Sequence, residues 1–346
     1  MKIVDISGIG HSGKTLLNEI LATNHQFHVH NPSFEFNLLR VYGGIADLDY
    51  HLQSNWSPNR CDIALKNFNH LIKTISNNAN ILQPKSLLVS NGWNYNEILN
   101  NDFEKLSVGY ISSLLDLDVQ LFWNYPHIYE NSFKRLYRKT LIKFFNHYQK
   151  DNFLLSEGKN FEKLTIQYLK TVLSIDKNKI VCTNNMFEPF DPEKYFKFFE
   201  NPRSIVVWRD PRDIYCSIQG KTQYIPDFEK KMGDINKHKN FLIGDDLNNF
   251  IKRKEILYNK CKFSQSKKIL NIKFEDIVLD FHNSMKIVEE FLDEDLGDKV
   301  RISNIVKLKQ SKKNIGLWKE YKNQSEIKLI ENSLVNYMKT LGYKNG

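Results

Sequence analysis

The chain opens with alternating apolar and polar positions, followed by a glycine-rich segment and then by apolar residues at helical spacing. Lys2–Ser7 is β-branched and alternating, which predicts a strand. Gly8–Gly13 predicts a loop, and the four apolar residues of Lys14–Thr23 predict a helix. A short second strand is expected at Phe27–His30. Strand, loop and helix in this order predict that the chain begins with a βα unit.

The part of the chain between residues 42 and 174 has mostly helical periodicity. Asn-rich turns separate its segments, and one lone strand is expected at Leu87–Ser90. We interpret 42–174 as a mostly helical insertion within a single domain that covers residues 1–346. The helices predicted in it are Cys61–Ser76, Phe103–Leu117, Ser132–Tyr148 and Asn160–Ser174.

Strand patterns return after the insertion and alternate with helical ones. The predicted strands are Lys179–Cys182, Ser204–Trp208 and Ile269–Phe274. The predicted helices are Asp213–Gln219, Asp245–Lys262, Ser284–Leu292 and Ser325–Leu341. The polar segment Gly220–Asn240 has no periodicity and is expected to be a loop or lid. The expected fold class is α/β, with a central, mainly parallel sheet flanked by helices and a helical insertion.

Composition excludes several protein classes and favours an anionic ligand. The 346 residues are 41% hydrophobic and 26% charged, unlike a collagen-like, mucin-like or disordered chain. The formal net charge of +9 favours nucleic acid, phosphorylated cofactors, acidic glycans or a membrane surface as partners, although a solvated lysine-rich surface is the favoured explanation for the lysines outside the motifs described below. The four cysteines form no C-x-x-C pair and fit a reducing compartment. No apolar run is long enough for a membrane span, so we expect a cytoplasmic protein.

The glycine-rich loop has the spacing of a phosphate-binding loop. Gly8–Thr15 satisfies G-x-x-x-x-G-K-[ST], with a predicted strand before it and a helix after it. Glycines allow backbone N–H groups to surround a phosphate at the positive end of the helix, while Lys14 adds charge and Thr15 a hydroxyl. Nucleoside triphosphatases, kinases and sulfotransferases all use such a loop, so a second site must distinguish them.

A second candidate anion site follows the strand predicted at Ser204–Trp208. Asp210-Pro211 breaks that strand and starts a short helix, with Arg209 and Ser217 eight positions apart across the turn. A strand-end guanidinium and a helical hydroxyl in this arrangement can hold one anion. The alternative is a structural ion pair between Arg209 and Asp213, with Ser217 facing solvent.

This second stretch closely resembles the 3′-phosphate motif of sulfotransferases that use 3′-phosphoadenosine 5′-phosphosulfate. Their pattern is an apolar strand followed by R-[DN]-P-[RK]-D-x-x-x-S, and every specified position is met here. In the family, the positions of Arg209 and Ser217 hold the 3′-phosphate of the cofactor. ATP has no such phosphate, so the resemblance favours the sulfuryl donor over ATP.

Three more segments resemble the family in the right order. His11–Leu17 is similar to its 5′-phosphosulfate loop, [KRH]-S-G-T-T, and Lys273–Val278 to its Y-E-D-[LM] segment. Lys312–Lys319 is similar to its late R-K-G-x-x-G-x-W-K loop, although Ser311 and Lys313 depart from it. The resemblance covers residues 1–36 and 179–341. It implies cofactor contacts from Gly10, His11, Ser12, Gly13, Lys14, Thr15, Leu16, Arg209, Ser217, Phe274, Lys312 and Trp318.

Two departures from the family concern the chemistry itself. Lys14 stands where the family usually has Thr, so we expect Lys14 to neutralise the leaving 5′-phosphate, with assistance from a protonated His11. The Lys-x-His that supplies the base in cytosolic members is missing from Val181–Asn185. Other members use a Glu about twenty residues past the loop, which makes Glu35 the expected base. His28 and His30 are its rivals.

The expected reaction is sulfuryl transfer to a hydroxyl-bearing acceptor, with no metal required. We expect a carbohydrate or glycolipid acceptor, at a site shaped by the insertion and the Gly220–Asn240 loop. One alternative is a kinase or nucleoside triphosphatase that uses ATP and Mg²⁺, because the loop is a full Walker motif. A nucleic-acid binder is less favoured because no basic-aromatic RNA motif or zinc finger accompanies the charge. A sulfotransferase fold without turnover is the last alternative.

Overall fold

A computed structural model describes residues 1–77, 93–99, 102–123, 125–146, 148, 150–173, 179–219, 246–263, 266–306 and 308–344. The chain divides into two compact units, Leu38–Leu173 and the remainder, Met1–Asn37 with Ser174–Gly346. The predicted strand Leu87–Ser90 and loop Gly220–Asn240 lie outside the described residues. That residues 1–346 form a single domain stays a prediction.

The larger unit is built on a five-stranded parallel sheet with strand order β2-β5-β1-β6-β7. In register, Ile3 of β1 lies opposite Val181 of β5, and Ile6 opposite Ile205 of β6. The prediction of an α/β fold with a parallel sheet is therefore confirmed. The strands in the described part of the chain are β1 (Lys2–Ser7), β2 (Phe27–Val29), β3 (Leu117–Leu121), β4 (Asp151–Leu155), β5 (Ile180–Asn184), β6 (Asn201–Trp208) and β7 (Ile269–Lys273).

Both faces of the parallel sheet are covered, as apolar strands without polar alternation require. Ile205 and Val207 of β6 belong to one buried cluster, whereas Val206 and Trp208 belong to another. Because successive side chains of a strand point to opposite faces, the two clusters lie on opposite sides of the sheet. Helices contribute to each cluster, so the sheet is flanked on both sides.

Fifteen α-helices are described, and several 3₁₀ turns connect them. The predicted tail helix Ser325–Leu341 is wrong in one respect, because Leu334 (φ −102°, ψ 24°) leaves the helical region and divides it. The helices are α1 (Lys14–Ala22), α2 (Ile45–Asp49), α3 (Pro58–Ser76), α4 (Tyr95–Ile98), α5 (Phe103–Leu114), α6 (Ser132–Phe145), α7 (Phe161–Leu173), α8 (Pro211–Gln219), α9 (Leu247–Lys260), α10 (Phe274–Leu279), α11 (Phe281–Leu292), α12 (Lys299–Ile305), α13 (Leu308–Lys312), α14 (Gln324–Ser333) and α15 (Val335–Thr340).

The smaller unit combines helices with an antiparallel pair that the sequence pattern did not predict. Strands β3 and β4 pair from Leu117 opposite Leu155 to Leu121 opposite Asp151. Helix α5 therefore ends at Leu114, before the predicted end at Leu117, because the next residues turn into β3. None of the helices in the described ranges has the length and apolar character that crossing a bilayer requires.

Candidate anion-binding site

The phosphate-binding loop connects the carboxyl end of β1 to the amino end of α1. His11 (φ 65°) and Gly13 (φ 82°) both adopt left-handed backbone conformations, and Gly13 is the N-cap residue of α1. The N–H of Ser12 donates to the carbonyl of Ile9 at 3.0 Å, which closes the turn. The loop therefore ends at the positive terminus of a nine-residue helix, the arrangement that attracts phosphate.

Gly13 also lies directly against the ring of Phe274. A Cβ at Gly13 would come within 2.3 Å of Phe274 Cδ2. Phe274 begins α10 immediately after β7, so this contact joins the phosphate loop to the segment that resembles the Y-E-D-[LM] motif. A glycine is thus required at position 13 for both its backbone conformation and its lack of a side chain.

We expect Gly13→Ala to lower the free energy of unfolding by about 3 kcal/mol, since left-handed backbone strain and overpacking both destabilise. The matched control is Gly10→Ala in the same loop, because a Cβ there would meet no heavy atom within 4 Å. Urea unfolding of the two variants measures the difference. Equal stabilities would mean that Phe274 moves away and that the contact does not define the loop.

Arg209, at the end of β6, connects three other segments. Its Nη1 donates to the carbonyl of His11 at 2.9 Å, and its Nη2 donates to the carbonyl of Asn314 at 2.7 Å. Its guanidinium lies over the ring of Phe274, 5.3 Å from the ring centre. Burial lowers the pKa of Arg209, an effect that Asp213 and Glu275 oppose. One buried cation thus contacts each of the other three segments that carry the resemblance.

Asp213, in the first turn of α8, binds the late loop rather than Arg209. Its carboxylate accepts the backbone N–H of Gly316 at 2.7 Å and that of Trp318 at 3.2 Å. Burial raises its pKa, and these two donors oppose the shift. Among the described residues, Arg209 and Asp213 form no ion pair, so that alternative is wrong. Ser217 is buried four residues further along α8, on the helix face that carries Asp213.

Trp318 packs against a second arginine of the same motif. The guanidinium of Arg212 lies over its ring, 3.8 Å from the ring centre. Arg212 is buried and paired with Asp210 and Glu331. Trp318 therefore fixes the late loop to α8, while Lys312, at the end of α13, is exposed.

Three residues of the phosphate loop differ in what their side chains do. Leu16 packs into the hydrophobic core, and its N–H donates to the carbonyl of Gly13 at 3.1 Å. Thr15 is half-buried and His11 is exposed. Of the twelve predicted cofactor contacts, Leu16 and Phe274 thus have side chains that belong to the same hydrophobic core cluster.

Lys14 and Glu35 form an ion pair at the edge of the phosphate loop. Lys14 Nζ donates to Glu35 Oε1 at 2.8 Å, and the lysine is buried while the Glu35 side chain is 36% exposed. The rivals of Glu35 lie against each other, with His28 Nε2 and His30 Nδ1 separated by 3.3 Å. The structure thus brings the expected base next to the expected phosphate-neutralising cation.

Asn185 is a site residue that the sequence analysis missed. Its Nδ2 donates to Glu35 Oε1 at 2.9 Å, while its Oδ1 accepts the N–H of Gly8 at 3.0 Å. It follows β5 directly and has a left-handed backbone (φ 52°), which Asn tolerates better than most residues. The sequence signal that could have identified Asn185 as a site residue is an Asn placed directly after a buried strand.

Asp5, buried in the middle of the sheet, fixes the turn that carries Asn185. Its carboxylate accepts the backbone N–H of Met186 at 2.8 Å and that of Phe187 at 3.0 Å, and the hydroxyl of Thr183 donates to it at 2.8 Å. The ends of β1 and β5 are therefore locked together beneath the phosphate loop. A carboxylate in a buried strand can be recognised in sequence, but its partners cannot.

Two buried donors in these motifs have no acceptor among the residues that the structure describes. They are the hydroxyl of Ser12 in the phosphate loop and Nε of Arg209. An unpaired buried donor is costly, so such groups are expected where a ligand supplies the acceptor. Phosphate oxygens are acceptors of the required kind.

Lys254 is a third buried, unpaired donor, and it was also missed. It lies on α9 and is only 1% exposed, and its Nζ has no hydrogen-bond partner among the described residues, although it lies over the ring of Phe250, 5.6 Å from the ring centre. Burial lowers its pKa from 10.5 to about 7, with smaller contributions from Arg253 and Arg209. Its spacing of four residues from Phe250 puts it on the buried stripe of the helix, a signal that the sequence offered.

We expect Lys254→Met to raise the free energy of unfolding at pH 7 by about 2 kcal/mol, because it removes a buried cation without a partner. Between pH 7 and pH 10 the unfolded chain holds the lysine proton and the folded chain releases it, so stability should rise with pH in the parent. This rise should be smaller in Lys254→Met and unchanged in Lys252→Met, which alters an exposed position on the same helix. Urea unfolding at several pH values tests this, and identical slopes would refute it.

The chain was compared with known proteins at the levels of sequence and structure. No family model and no curated protein matches it. Sulfotransferase STF9 from Mycobacterium avium is 12% identical, with a TM-score of 0.41 over 99% of this chain and 77% of that one. The sulfotransferase domain of the Synechococcus PCC 7002 olefin synthase is 12% identical, with a TM-score of 0.42 over 100% and 96%. Retinol dehydratase, in complex with androsterone and the inactive cofactor PAP, is 13% identical, with a TM-score of 0.34 over 98% and 82%. Because these TM-scores lie below 0.5, we base the function on this chain's own residues.

Proposed function

We propose that this protein transfers a sulfuryl group from 3′-phosphoadenosine 5′-phosphosulfate to a hydroxyl group of an acceptor. The observation that carries the proposal is the position of Arg209. Its contacts with His11, Phe274 and Asn314 join the four segments that resemble the family's cofactor motifs. Four such segments separated by up to about 300 positions would have no reason to meet if each resemblance were accidental.

The unpaired donors fit the two phosphorylated ends of this cofactor. Ser12 and Lys14, at the amino end of α1, suit the 5′-phosphosulfate, and the terminus of that helix favours a negative charge. Arg209 Nε and Ser217 suit the 3′-phosphate, which the guanidinium can hold by a charge-assisted hydrogen bond. When bound, the cofactor supplies an activated sulfuryl group attached to a good leaving group.

The chemistry then depends on a cation and a carboxylate that already contact each other. Glu35 accepts the proton of the acceptor hydroxyl as its oxygen attacks sulfur. As this new S–O bond forms, the bond from sulfur to the phosphate oxygen breaks, and Lys14 stabilises the charge on that oxygen. Asn185 holds one oxygen of Glu35 and so orients the carboxylate. His11, exposed on the loop, adds positive charge when it is protonated.

For the acceptor we propose a hydroxylated carbohydrate or glycolipid. The chain is rich in aromatic residues, at 13%, and such rings can stack on sugars. A screen of sugar, glycolipid and small alcohol acceptors with labelled cofactor would test this choice. Transfer to none of the sugars or glycolipids would overturn it without affecting the cofactor assignment.

The decisive experiment compares thermal stabilisation by adenosine 3′,5′-bisphosphate in EDTA with that by ATP and Mg²⁺. A ligand at 100 times its dissociation constant stabilises a protein by about 2.7 kcal/mol, which gives a measurable shift. We expect a shift with the bisphosphate in EDTA and a smaller one with ATP. A shift with ATP and Mg²⁺ alone would overturn the proposal in favour of a kinase or nucleoside triphosphatase.

A further inference from the structure

Helix α6 of the smaller unit presents an apolar face that the unit does not cover. None of its residues is buried. Phe133, Leu136, Tyr137 and Phe144 are each between 63% and 85% exposed. At 100° per residue these four positions fall within an arc of about 100°, so they form one continuous stripe. Exposed apolar stripes of this size are uncommon on soluble proteins unless they bind something.

The exposure of this stripe does not come from a poorly formed helix. The side chain of Asn131 accepts the N–H of Lys134 at 2.9 Å and caps the first turn. Arg138, on the opposite side of the helix, donates from Nε to Glu130 at 3.0 Å. Arg135 donates to the carbonyls of Ile128 and Glu130, each at 3.2 Å. The helix is thus held from one side, and the apolar stripe faces away from these contacts.

The charge of α6 has one sign. The helix contains no acidic residue, and it carries five basic ones. Two of them, Lys139 and Lys143, are four positions apart and fall along one flank of the apolar stripe. The five basic residues of the helix are Lys134, Arg135, Arg138, Lys139 and Lys143.

The segments on either side of α6, within the connection between β3 and β4, add exposed rings. Phe122 and Tyr148 are both exposed and contact each other, with ring centres 5.5 Å apart. Tyr125 and Ile128 are exposed as well. Tyrosine is favoured at the boundary between water and hydrocarbon, because its ring is apolar and its hydroxyl is polar.

We propose that α6 docks this protein onto an anionic lipid surface, with the apolar stripe inserted at the level of the headgroups and with Lys139 and Lys143 paired with lipid phosphates. A strongly basic amphipathic helix with bulky apolar residues is the type that binds in this way. A second copy of the chain fits less well, because a symmetric contact between two α6 helices would bring together two helices that contain five basic residues each and no acidic one. The proposal concerns the smaller unit and stands independently of the proposed sulfuryl transfer.

The test is co-sedimentation of the full chain with vesicles of phosphatidylcholine alone or with 30% phosphatidylserine. We expect binding to the anionic vesicles that weakens with salt, and little binding to the neutral ones. Lys139→Gln with Lys143→Gln should weaken it about fivefold per charge. Phe133→Ser with Phe144→Ser should weaken it about tenfold per ring. Equal sedimentation with both kinds of vesicle, or none with either, would refute the proposal.

Matched controls exclude general effects of charge and hydrophobicity. Lys286→Gln with Lys328→Gln removes two exposed cations elsewhere, and Leu279→Ser removes an exposed apolar side chain. Both control variants should bind vesicles as the parent does. All variants should keep the parent's thermal shift with adenosine 3′,5′-bisphosphate, so that lost vesicle binding cannot be confused with a failed cofactor assignment. Self-association that Phe133→Ser with Phe144→Ser abolishes, in the absence of vesicle binding, would instead assign the stripe to a second copy.

Discussion

Arg209→Ala should weaken binding of adenosine 3′,5′-bisphosphate at least about 100-fold, because each hydrogen bond from a charged donor to phosphate contributes about 1.5–3 kcal/mol. The guanidinium is the only side chain whose contacts reach the phosphate loop, Phe274 and the late loop together among the described residues. Its loss therefore removes a charge at the proposed 3′-phosphate and a connection between the segments that surround it. Isothermal titration calorimetry measures the effect directly.

The matched control for this variant is Arg203→Ala. Arg203 lies on the same strand, β6, and its guanidinium also covers a phenylalanine ring, with the centre of Phe291 at 5.5 Å. Both variants thus lose a cation–aromatic contact, but only Arg209 touches the phosphate loop. Circular dichroism should show both variants folded at the temperature of titration. Unchanged affinity of folded Arg209→Ala for the bisphosphate would overturn the 3′-phosphate assignment.

The parallel sheet, and the place of the candidate anion site at the carboxyl ends of its strands, were predictable from the sequence. Apolar strands such as Ser204–Trp208, followed at once by polar or glycine-containing turns, identify buried parallel strands and their carboxyl ends. Ligands in such sheets bind beyond the carboxyl ends of the strands. The three strands that precede the phosphate loop, Arg209 and Phe274 are β1, β6 and β7, which are neighbours in the sheet.

The parts that could not be predicted depend on contacts between distant positions. Asn185 reaches both Gly8 and Glu35, about 177 and 150 positions away, and local periodicity contains no information on such pairs. The antiparallel pair β3 and β4 encloses some thirty residues, and short strands joined over that length carry no turn signal. The unpaired state of Lys254 is likewise a property of its neighbours, although its position on the apolar stripe was visible.

Glu35→Gln should lower the rate of sulfuryl transfer by about 10²–10⁴, the usual contribution of a general base, because an amide cannot accept the proton of the acceptor. The amide oxygen still accepts hydrogen bonds from Lys14 and Asn185, so the local geometry should survive. The substitution leaves Lys14 without its counter-charge, so affinity for an anionic cofactor should stay the same or increase. The rate should therefore fall without any loss of cofactor affinity.

A purely structural role for Glu35 predicts a different result. In that case Glu35→Gln would weaken cofactor binding and lower thermal stability together, and the remaining activity would keep the parent's dependence on pH. A base role predicts that the loss of rate on acidification, which protonation of a carboxylate causes, disappears in Glu35→Gln. The controls are His28→Gln and His30→Gln, which alter the two rivals and leave the Lys14–Glu35 pair intact. A rate lost in either histidine variant and kept in Glu35→Gln would assign the base to that histidine and reduce Glu35 to a partner of Lys14.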